Sequence, residues 1–541
     1  MRISYLNQYN QINFDAHTYK IRPKNDEVTI QTDNEPYLGD SPYLISPNFY
    51  EWDTNKKSMK KEGKYFTQNI PITSNIINYH IEYDDSGKID NKNGKDYEIN
   101  CKKMQQNASL YLRKLHNQPI IHAIKSGKAT GKLLHQENIG LNNSDFINNI
   151  NEPTILLAKK FHTNISNPNI VGIIYTSDDS GSFTHLSTQL RTRTDVCGAI
   201  YNPKIIEKLE NLNGKNIELE LKDNYIKFNE TNKTYSPKQY KKINVPQQKN
   251  CDKILTSNEY NSDIIGAKAV NLKRLEELSK SKKIHSIIPK SIALPNNYIE
   301  KLFTENNDKI YNDENSKNNM NEILSKMNEQ KINSNPFMVR SSFNGEDLPN
   351  YSAAGIYSST CVYKDIEPEY TREGLYYAIE TVADSKMSKD AIASRKRHEI
   401  PDNDIKTGII IQDFIDEDYK FTIYTDDDNN NLKIDLYSDN AWFYENAIQP
   451  HIFTYNKDTK KLQYDSIQMD NISVTFDEDM NIINSDKIEN NLSNNKKLFK
   501  QLHNIIDDAL TIEQEFGVPQ DIEGGIKDDN TYIWQTRNIV K

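Results

Sequence analysis

Side chains that could hold a metal ion and a phosphate group gather near the end of the printed sequence. One short apolar segment carries Asp521 and Glu523, and a second carries Gln535 and Arg537. The polar turn 527–530 between them predicts a β-hairpin, and strand alternation places each pair on one face. Carboxylate and amide oxygens suit Mg²⁺, and arginine suits phosphate. The hairpin therefore predicts a site for Mg²⁺ and phosphate.

Earlier segments have the composition of the rest of a nucleotide site. A glycine precedes Lys268 and a helical pattern, which points the lysine at a phosphate near a helix start. An apolar strand pattern ends at Arg340 and small hydroxyl residues, as a phosphate-contacting strand would. The loop 351–357 is rich in small residues, which lets the backbone close over a triphosphate. A buried strand pattern around Gln412 completes the set.

His185 is the histidine with the most informative surroundings. It follows the buried strand pattern 170–175 and a turn, and Arg191 and Arg193 come after it. A histidine at the start of a helix and near cations can act as a nucleophile whose phosphorylated form is stabilised. A structural or solvent-exposed histidine fits the same spacing, so the residues alone leave both interpretations open.

Composition limits the class of protein. The net charge of −10 provides no basic field for nucleic acid or an anionic membrane. The four cysteines show neither metal-ligand nor disulfide spacing. We see no secretory signal and no apolar run long enough to span a membrane. We therefore expect a cytoplasmic protein, with export by a route that needs no signal left open.

Patterning divides the 541 residues into successive units. Short strands and helices alternate in the middle of the chain, which indicates a compact α/β unit, and a polar stretch after it predicts a linker. The predicted boundaries are 1–104 for a region of unknown role, 105–235 for the middle unit, with a helix from about 105, 236–254 for the linker, and 255–541 for an α/β domain with lobes 255–400 and 401–541.

In this order the motifs resemble the group that contains phosphoenolpyruvate synthase, pyruvate phosphate dikinase and the alpha-glucan and phosphoglucan water dikinases. The resemblance covers 255–541. The segments Asn-Gly-Glu-Asp-Leu and Gly-Val-Pro-Gln-Asp are most similar to the corresponding sequences of the glucan enzymes. The resemblance implies an α/β multidomain fold in which a swivelling phosphohistidine domain precedes a two-lobed ATP-grasp nucleotide-binding domain.

The resemblance also implies an activity. A paired-acceptor phosphotransferase of this type passes the β-phosphate of ATP to a histidine and then to a hydroxyl of an α-glucan, giving AMP and orthophosphate. ATP is the co-substrate, Mg²⁺ the cofactor, and neither nucleic acid nor membrane is a partner. The implied residues are His185 and Arg340 for catalysis, Lys268, Arg340, Gln412, Asp521, Glu523 and Arg537 for the nucleotide, and Glu523 and Gln535 for the metal.

Departures from the group's pattern keep other functions open. Where the related enzymes carry Gly-Leu-Gly-Glu, this chain has Ser-Asp-Asn-Ala-Trp at 438–442, and Asp435 is the candidate substitute for the glutamate. Starch-binding modules rich in tryptophan are not visible, since the chain has 3 tryptophans. The alternatives are a dikinase that acts on an antibiotic, a small metabolite or a protein, and a degenerate homologue that binds nucleotide without catalysis.

Overall fold

We describe the protein from a computed structural model. The residues that it describes are 17–22, 27–33, 42–49, 55–62, 65–83, 88–90, 95–116, 120–139, 146–147, 149–161, 167–176, 194–222, 225–233, 242–304, 311, 314–348, 351, 353, 355–427, 430–438, 450–466, 472–486 and 496–539. Within these ranges, no helix combines the length and the apolar character needed to cross a bilayer.

Two antiparallel sheets and a helix form the N-terminal unit around a shared core. The first sheet runs in the order β1-β2-β6-β5, and β3, β4, β7 and β8 form the second, with β9 paired to β7. The bounds are β1 (His17–Ile21), β2 (Glu27–Asp33), β3 (Pro42–Ile45), β4 (Lys56–Ser58), β5 (Lys60–Glu62), β6 (Tyr65–Pro71), β7 (Ile76–Tyr83), β8 (Lys88–Asp90), β9 (Tyr97–Asn100) and α1 (Cys101–Leu115).

Helix α1 begins earlier than the sequence predicted. We expected a helix from about residue 105, whereas the helix starts at Cys101. Asn100 is its N-cap, and the side-chain oxygen of Asn100 accepts a hydrogen bond of 2.9 Å from the backbone N–H of Lys103. Such a cap satisfies one of the free N–H groups of the first turn.

The central unit is a mixed sheet in the order β10-β14-β13-β12-β11-β15-β16. Strands β11 to β14 run parallel, and β13 is buried along its whole length, which explains its continuous apolar run. The strand predicted at 170–175 is thus confirmed. The bounds are β10 (Ile121–Lys125), β11 (Gly127–Ile139), β12 (Thr154–Phe161), β13 (Ile170–Tyr175), β14 (Val196–Ile200), α2 (Pro203–Glu210), β15 (Asn216–Lys222) and β16 (Tyr225–Glu230).

An antiparallel sheet in the order β17-β18-β21-β19-β20, called here the upstream sheet, follows. Its strands and the helices around them are β17 (Leu255–Thr256), α3 (Ala267–Lys280), β18 (Ser291–Leu294), α4 (Asn296–Thr304), α5 (Glu314–Glu329), β19 (Phe337–Ser341), β20 (Ser359–Val362), α6 (Pro368–Asp384), α7 (Lys389–Arg397) and β21 (Ile409–Asp413). Strand β21 pairs within this sheet, although it lies beyond residue 400, where the first predicted lobe ends.

A further antiparallel sheet, the downstream sheet, runs in the order β25-β24-β23-β22-β28-β29. One of its faces packs with α3 and α8 in a common core. The remaining elements are β22 (Tyr419–Tyr424), β23 (Asn431–Ser438), β24 (His451–Asn456), β25 (Lys461–Ser466), β26 (Val474–Phe476), β27 (Ile482–Ser485), α8 (Lys496–Phe516), β28 (Gln520–Lys527) and β29 (Asn530–Asn538).

Strands β26 and β27 follow the strands of the downstream sheet in the chain, but they pair with β1 and so extend the first sheet of the N-terminal unit. Val474 pairs with Ile21, and Phe476 pairs with Tyr19. Val474 and Phe476 are both fully buried in the core of the N-terminal unit. The predicted lobe 401–541 is therefore interrupted, because the apolar face of β26 is covered by strands from the start of the chain.

The predicted linker 236–254 is in part packed against the C-terminal unit. Residues 242–250 form no helix or strand. Ile243 and Val245 nevertheless pack on an apolar cluster around Phe343. The backbone N–H of Ile243 also donates to the carbonyl of His398 at 3.0 Å. This stretch is not the free tether that its polar composition suggested.

Candidate functional site

The predicted C-terminal hairpin is confirmed. Strands β28 and β29 pair so that Asp521 faces Arg537 and Glu523 faces Gln535. The connecting residues Asp528 and Asp529 both have positive φ, 47° and 68°. Two left-handed residues give a tight turn whose twist matches that of the flanking strands. The turn sets the register as far as Gly524 and Ile533, and a β-bulge at Trp534 then shifts it by one residue, which brings the four polar side chains together.

The two faces of the downstream sheet have opposite character. Along β28, Ile522 enters the apolar core with α3 and α8, while Asp521 and Glu523 point to the other face by strand alternation. Thr422 of β22 pairs with Glu523 on one side and with Asp435 of β23 on the other. A row of buried polar side chains thus crosses the sheet, and Asp435, which is fully buried, belongs to it.

Arg537 makes the most buried ion pair of this polar face. Its Nε and Nη2 atoms lie 2.7 and 2.6 Å from Oδ2 of Asp521, and the two side chains are 4% and 2% exposed. Glu523 Oε1 lies 3.6 Å from the same guanidinium. Burial alone lowers the pKa of Arg537, but the two carboxylates outweigh it and raise the pKa. The guanidinium is therefore a permanent positive charge in this cleft.

Arg340 connects the upstream sheet to the hairpin. It lies on β19, and its Nη2 donates to Oε1 of Gln535 at 2.5 Å. Nη2 also lies 3.7 Å from Oε2 of Glu523, and Nη1 donates to Oε1 of Gln412 at 3.4 Å. Burial lowers the pKa of Arg340, while Glu523 opposes the shift. The arginine therefore joins residues from both sheets into one cluster.

Lys268 enters this cluster from the first turn of α3. Gly266, the residue that caps the helix, lets the backbone approach β19, because a Cβ there would meet the carbonyl oxygen of Ser342 at 2.2 Å. The Lys268 Nζ donates to Oγ of Ser341 at 3.2 Å and lies 2.7 Å from Oε2 of Glu346. Helix α3 is also tied to the hairpin, since Asn271 donates to the Thr536 carbonyl at 2.9 Å.

Glu346 is the residue of this cluster to which sequence reasoning assigned no role. The motif Asn-Gly-Glu-Asp-Leu that contains it resembles the glucan enzymes, but it predicts no role for the glutamate itself. Its side chain is 1% exposed, and burial raises its pKa although Lys268 acts in the opposite direction. The sequence signal for such a role would be a carboxylate that pairs with the lysine at the helix start. Glu346 and Lys268 are far apart along the chain, however, so no local pattern connects them.

The oxygen atoms of Glu523 and Gln535 form a donor set that fits Mg²⁺. A carboxylate and a side-chain amide oxygen are hard ligands of the kind this ion prefers. Gln535 Nε2 donates to Glu523 Oε1 at 3.3 Å, so the two side chains are within one ion's reach of each other. In this structure Arg340 donates a hydrogen bond to the Gln535 oxygen, so a bound metal ion would share that oxygen with the arginine.

Another group of potential ligands lies in the central unit. His135, Glu137 and Glu210 place a ring nitrogen and two carboxylates close together. Nζ of Lys102 lies 2.6 Å from Glu137 and 2.9 Å from Glu210. The single ammonium of Lys102 bridges the two carboxylates, so the group is explained as an ion-pair cluster between α1 and the central unit.

The remaining predicted residues are placed unequally. Gln412 is buried on β21, and within the described residues its Nε2 has no hydrogen-bond partner. His185, Arg191 and Arg193 lie outside the described residues, as do Ser352 and Ala354 of the predicted small-residue loop. The structure therefore unites Lys268, Arg340, Gln412, Asp521, Glu523, Gln535 and Arg537, and leaves the histidine as a prediction.

Sequence comparisons show which known proteins this chain resembles. Residues 312–541 match the family described as pyruvate phosphate dikinase, AMP/ATP-binding domain. The chain is also 22% identical to alpha-glucan water dikinase 1 of Arabidopsis thaliana over 448 aligned residues, which cover 71% of this chain and 30% of that protein. This chain is therefore similar to the pyruvate phosphate dikinases over 312–541 and to the glucan water dikinases over most of its length. The resemblance found in its motifs is confirmed.

Two further relatives have the same description. Alpha-glucan water dikinase 2 of Arabidopsis thaliana is 22% identical over 485 residues, covering 79% of this chain and 36% of that protein. The enzyme of Citrus reticulata, alpha-glucan water dikinase, chloroplastic, is 22% identical over 440 residues, covering 71% and 29%. The matched part thus spans about a third of the length of these relatives.

The family match covers less than the predicted domain. It begins at residue 312, so Lys268 and helix α3 precede it, although they contact residues within it. The match describes a nucleotide-binding domain of mixed α/β structure and does not extend to 105–235. The swivelling phosphohistidine domain and the two-lobed ATP-grasp description remain predictions.

Proposed function

We propose that this protein is an ATP-dependent dikinase that carries phosphate on a histidine and transfers it to a carbohydrate hydroxyl. The observation that carries the proposal is the cluster of three cations, the buried Arg537 and the half-buried Lys268 and Arg340, with an acidic and amide donor set in one cleft. Such a cluster is suited to a polyphosphate with its metal ion. The matched AMP/ATP-binding family supports a nucleotide as its ligand.

Each group has a defined part in this proposal. Lys268 and the two arginines bind and orient phosphate oxygens, and they offset the charge that develops during phosphoryl transfer. Gln412 offers its Nε2 as a donor to the nucleotide, and Asp521 keeps Arg537 in place. Glu523 and Gln535 would hold Mg²⁺, which supplies further neutralisation of phosphate charge when bound.

His185 is the proposed nucleophile. Its ring nitrogen forms a bond to the β-phosphorus, and the bond between that phosphorus and the oxygen bridging to the α-phosphate breaks, so AMP leaves. Water then takes the γ-phosphate as orthophosphate, and phosphohistidine remains. A hydroxyl of the acceptor finally attacks the phosphorus and regenerates the histidine. The central unit is our proposed swivelling phosphohistidine domain, and the C-terminal unit is our proposed two-lobed ATP-grasp domain.

The test of this sequence of steps is phosphate labelling. Purified protein is incubated with Mg²⁺ and ATP labelled at the β or the γ position, beside His185→Ala and the control His503→Ala, an exposed histidine of α8. We expect acid-labile label from β-labelled ATP in the wild type and the control, and none in His185→Ala. Label from γ-labelled ATP alone would identify a simple kinase and contradict the proposal.

The acceptor is tested separately. The relatives are named for alpha-glucan, and we propose the same class of acceptor for this chain. Phosphorylated protein is mixed with soluble α-glucan, and the label in the polysaccharide is counted. Transfer to glucan supports the proposal. Retention of all label on the protein would instead favour an antibiotic, a small metabolite or a protein as acceptor.

A further inference from the structure

Lys268, one of the proposed phosphate ligands, is held by a carboxylate of its own chain. Its Nζ lies 2.7 Å from Oε2 of Glu346 and donates to Oγ of Ser341 at 3.2 Å. The lysine side chain is 14% exposed and the glutamate 1%. A flexible ammonium group in a cleft gains a defined position from such a partner, which a solvated lysine lacks.

The turn that carries Glu346 is rigidly supported. Asn344 donates to the carbonyl oxygens of Pro246 and Asp404, both at 2.9 Å, and accepts from the backbone N–H of Lys406 at 2.7 Å. Asp347 follows in the left-handed conformation, with φ of 53°. The contacts of Asn344 therefore hold the backbone of the turn that carries the glutamate.

Charge explains why this pair matters for an anionic ligand. A buried carboxylate is costly unless a cation stays close to it. If Lys268 is removed, Glu346 is an uncompensated negative charge beside the proposed phosphate position at any pH above its raised pKa. The lysine therefore acts in two ways, since it attracts phosphate and also shields phosphate from Glu346.

We infer that Glu346 is a positioning residue for phosphate transfer, which holds Lys268 in the cleft as a counter-ion ready to be shared with phosphate. This inference rests on the proposed function. The geometry assigns no contact between Glu346 and the reacting atoms. Its effect is transmitted through the ammonium group of Lys268.

The test is a double-mutant cycle on equilibrium binding. The dissociation constant of Mg²⁺ with a non-hydrolysable ATP analogue is measured for the wild type, Lys268→Met, Glu346→Gln and the double variant. We expect Lys268→Met to weaken binding at least tenfold, because a charged hydrogen bond is lost and a buried anion is exposed to phosphate. The double variant should recover about fivefold of that loss, since the remaining anion is gone.

An exposed pair in the same unit is the matched control. Lys249 and Asp263 lie 2.6 Å apart but are 77% and 54% exposed. The cycle Lys249→Met and Asp263→Asn should leave the dissociation constant unchanged and show no coupling. Purely multiplicative effects in the Lys268 and Glu346 cycle, with a wild type that binds, would overturn the inference and leave the proposed function intact.

A kinetic readout covers the case in which Lys268→Met does not fold. Glu346→Gln keeps the size of the side chain and a carbonyl acceptor for Lys268, so it should bind nucleotide within about threefold of the wild type. Its rate of phosphate transfer to the protein should fall about tenfold, because the ammonium is no longer held in register. An unchanged rate would overturn the inference. A wild type that binds no nucleotide would overturn the proposed function as well.

Discussion

Two polar sheet faces of this molecule contain similar residues in different surroundings. The outer face of the N-terminal sheet pairs Lys20 with Asp486 at 3.1 Å, and the side chains are 35% and 51% exposed. The polar face of the downstream sheet pairs Arg537 with Asp521 at 2.6 Å, with 4% and 2% exposed. Composition alone does not separate the two faces, whereas burial does.

Burial changes the free energy that a charged pair costs and contributes. Exposed pairs form at little cost and contribute little, whereas each ion taken out of water costs several kcal/mol before its partner offsets it. A protein that gathers three cations and several carboxylates in one cleft therefore holds an arrangement that stability alone does not favour. Clusters of this kind are candidates for ligand binding, and the comparison ranks the downstream face above the N-terminal one.

The largest expected effect comes from breaking the buried pair. Asp521→Asn leaves Arg537 with Glu523 as the nearest carboxylate, at 3.6 Å. We expect the free energy of unfolding to fall by about 3 kcal/mol, because an under-compensated charge stays buried. Urea unfolding of the variant and the wild type measures it. Equal midpoints and slopes for the two proteins would remove the distinction between the two faces.

The burial of His451 is tested by the pH dependence of the unfolding free energy, where we expect an effect of about 2 kcal/mol. His451 lies on β24 with its Nδ1 2.6 Å from the Tyr464 hydroxyl, and burial lowers its pKa from 6.5 to about 4. The neutral ring is favoured in the folded state, so its contribution is complete above pH 6.5 and is lost as the pH falls towards 4. Between pH 7.5 and 5 we expect a loss of about 2 kcal/mol of unfolding free energy.

His451→Gln provides the reference for this pH effect, since glutamine does not titrate. Its unfolding free energy should change less between pH 7.5 and 5 than that of the wild type. His503→Gln, on the exposed side of α8, should behave like the wild type. Identical pH profiles for all three proteins would show that the burial of His451 has no energetic consequence.

Arg340 tests geometry at constant charge. Arg340→Lys keeps the positive charge but loses the planar fork that reaches Gln535 and Gln412 together. We expect the dissociation constant for Mg²⁺ and ATP to rise about tenfold, or about 1.4 kcal/mol. The matched control is Arg22→Lys, on the exposed N-terminal face, which should bind like the wild type. Equal weakening in both variants would point to a general charge effect.

The smallest effect is expected on the exposed face. Asp486→Asn removes the partner of Lys20, and we expect a change of less than about 0.5 kcal/mol in unfolding free energy. The measurement is the same urea unfolding as for Asp521→Asn. A loss as large as that of Asp521→Asn would mean that exposure does not predict the weight of a charged pair in this protein.

Local patterns explain what could be predicted from the sequence. Asp521, Glu523, Gln535 and Arg537 lie within one hairpin, so alternation and the turn place them close together, while a β-bulge at Trp534 sets their exact pairing. The strand at 170–175 and the helix after Gly266 are also local features. The individual elements of the site were therefore accessible from the sequence.

Long-range pairing explains what could not be predicted. Arg340 meets Gln535 across 195 positions, and β26 adds to β1 from near the opposite end of the chain. No periodicity within a short window encodes which distant strands pair, because the pairing is decided by the packing of whole faces. The contact between Lys268 and Glu346 could not be predicted for the same reason, although each residue lies in a motif that carries the family resemblance.

The measurement that tests the central claim most directly is the identity of the nucleotide product. Protein, Mg²⁺, ATP and soluble α-glucan are incubated, and AMP, ADP and orthophosphate are separated and quantified. The account predicts AMP and orthophosphate in equal amounts, with both absent in His185→Ala. ADP as the sole nucleotide product, formed equally by His185→Ala, would contradict it.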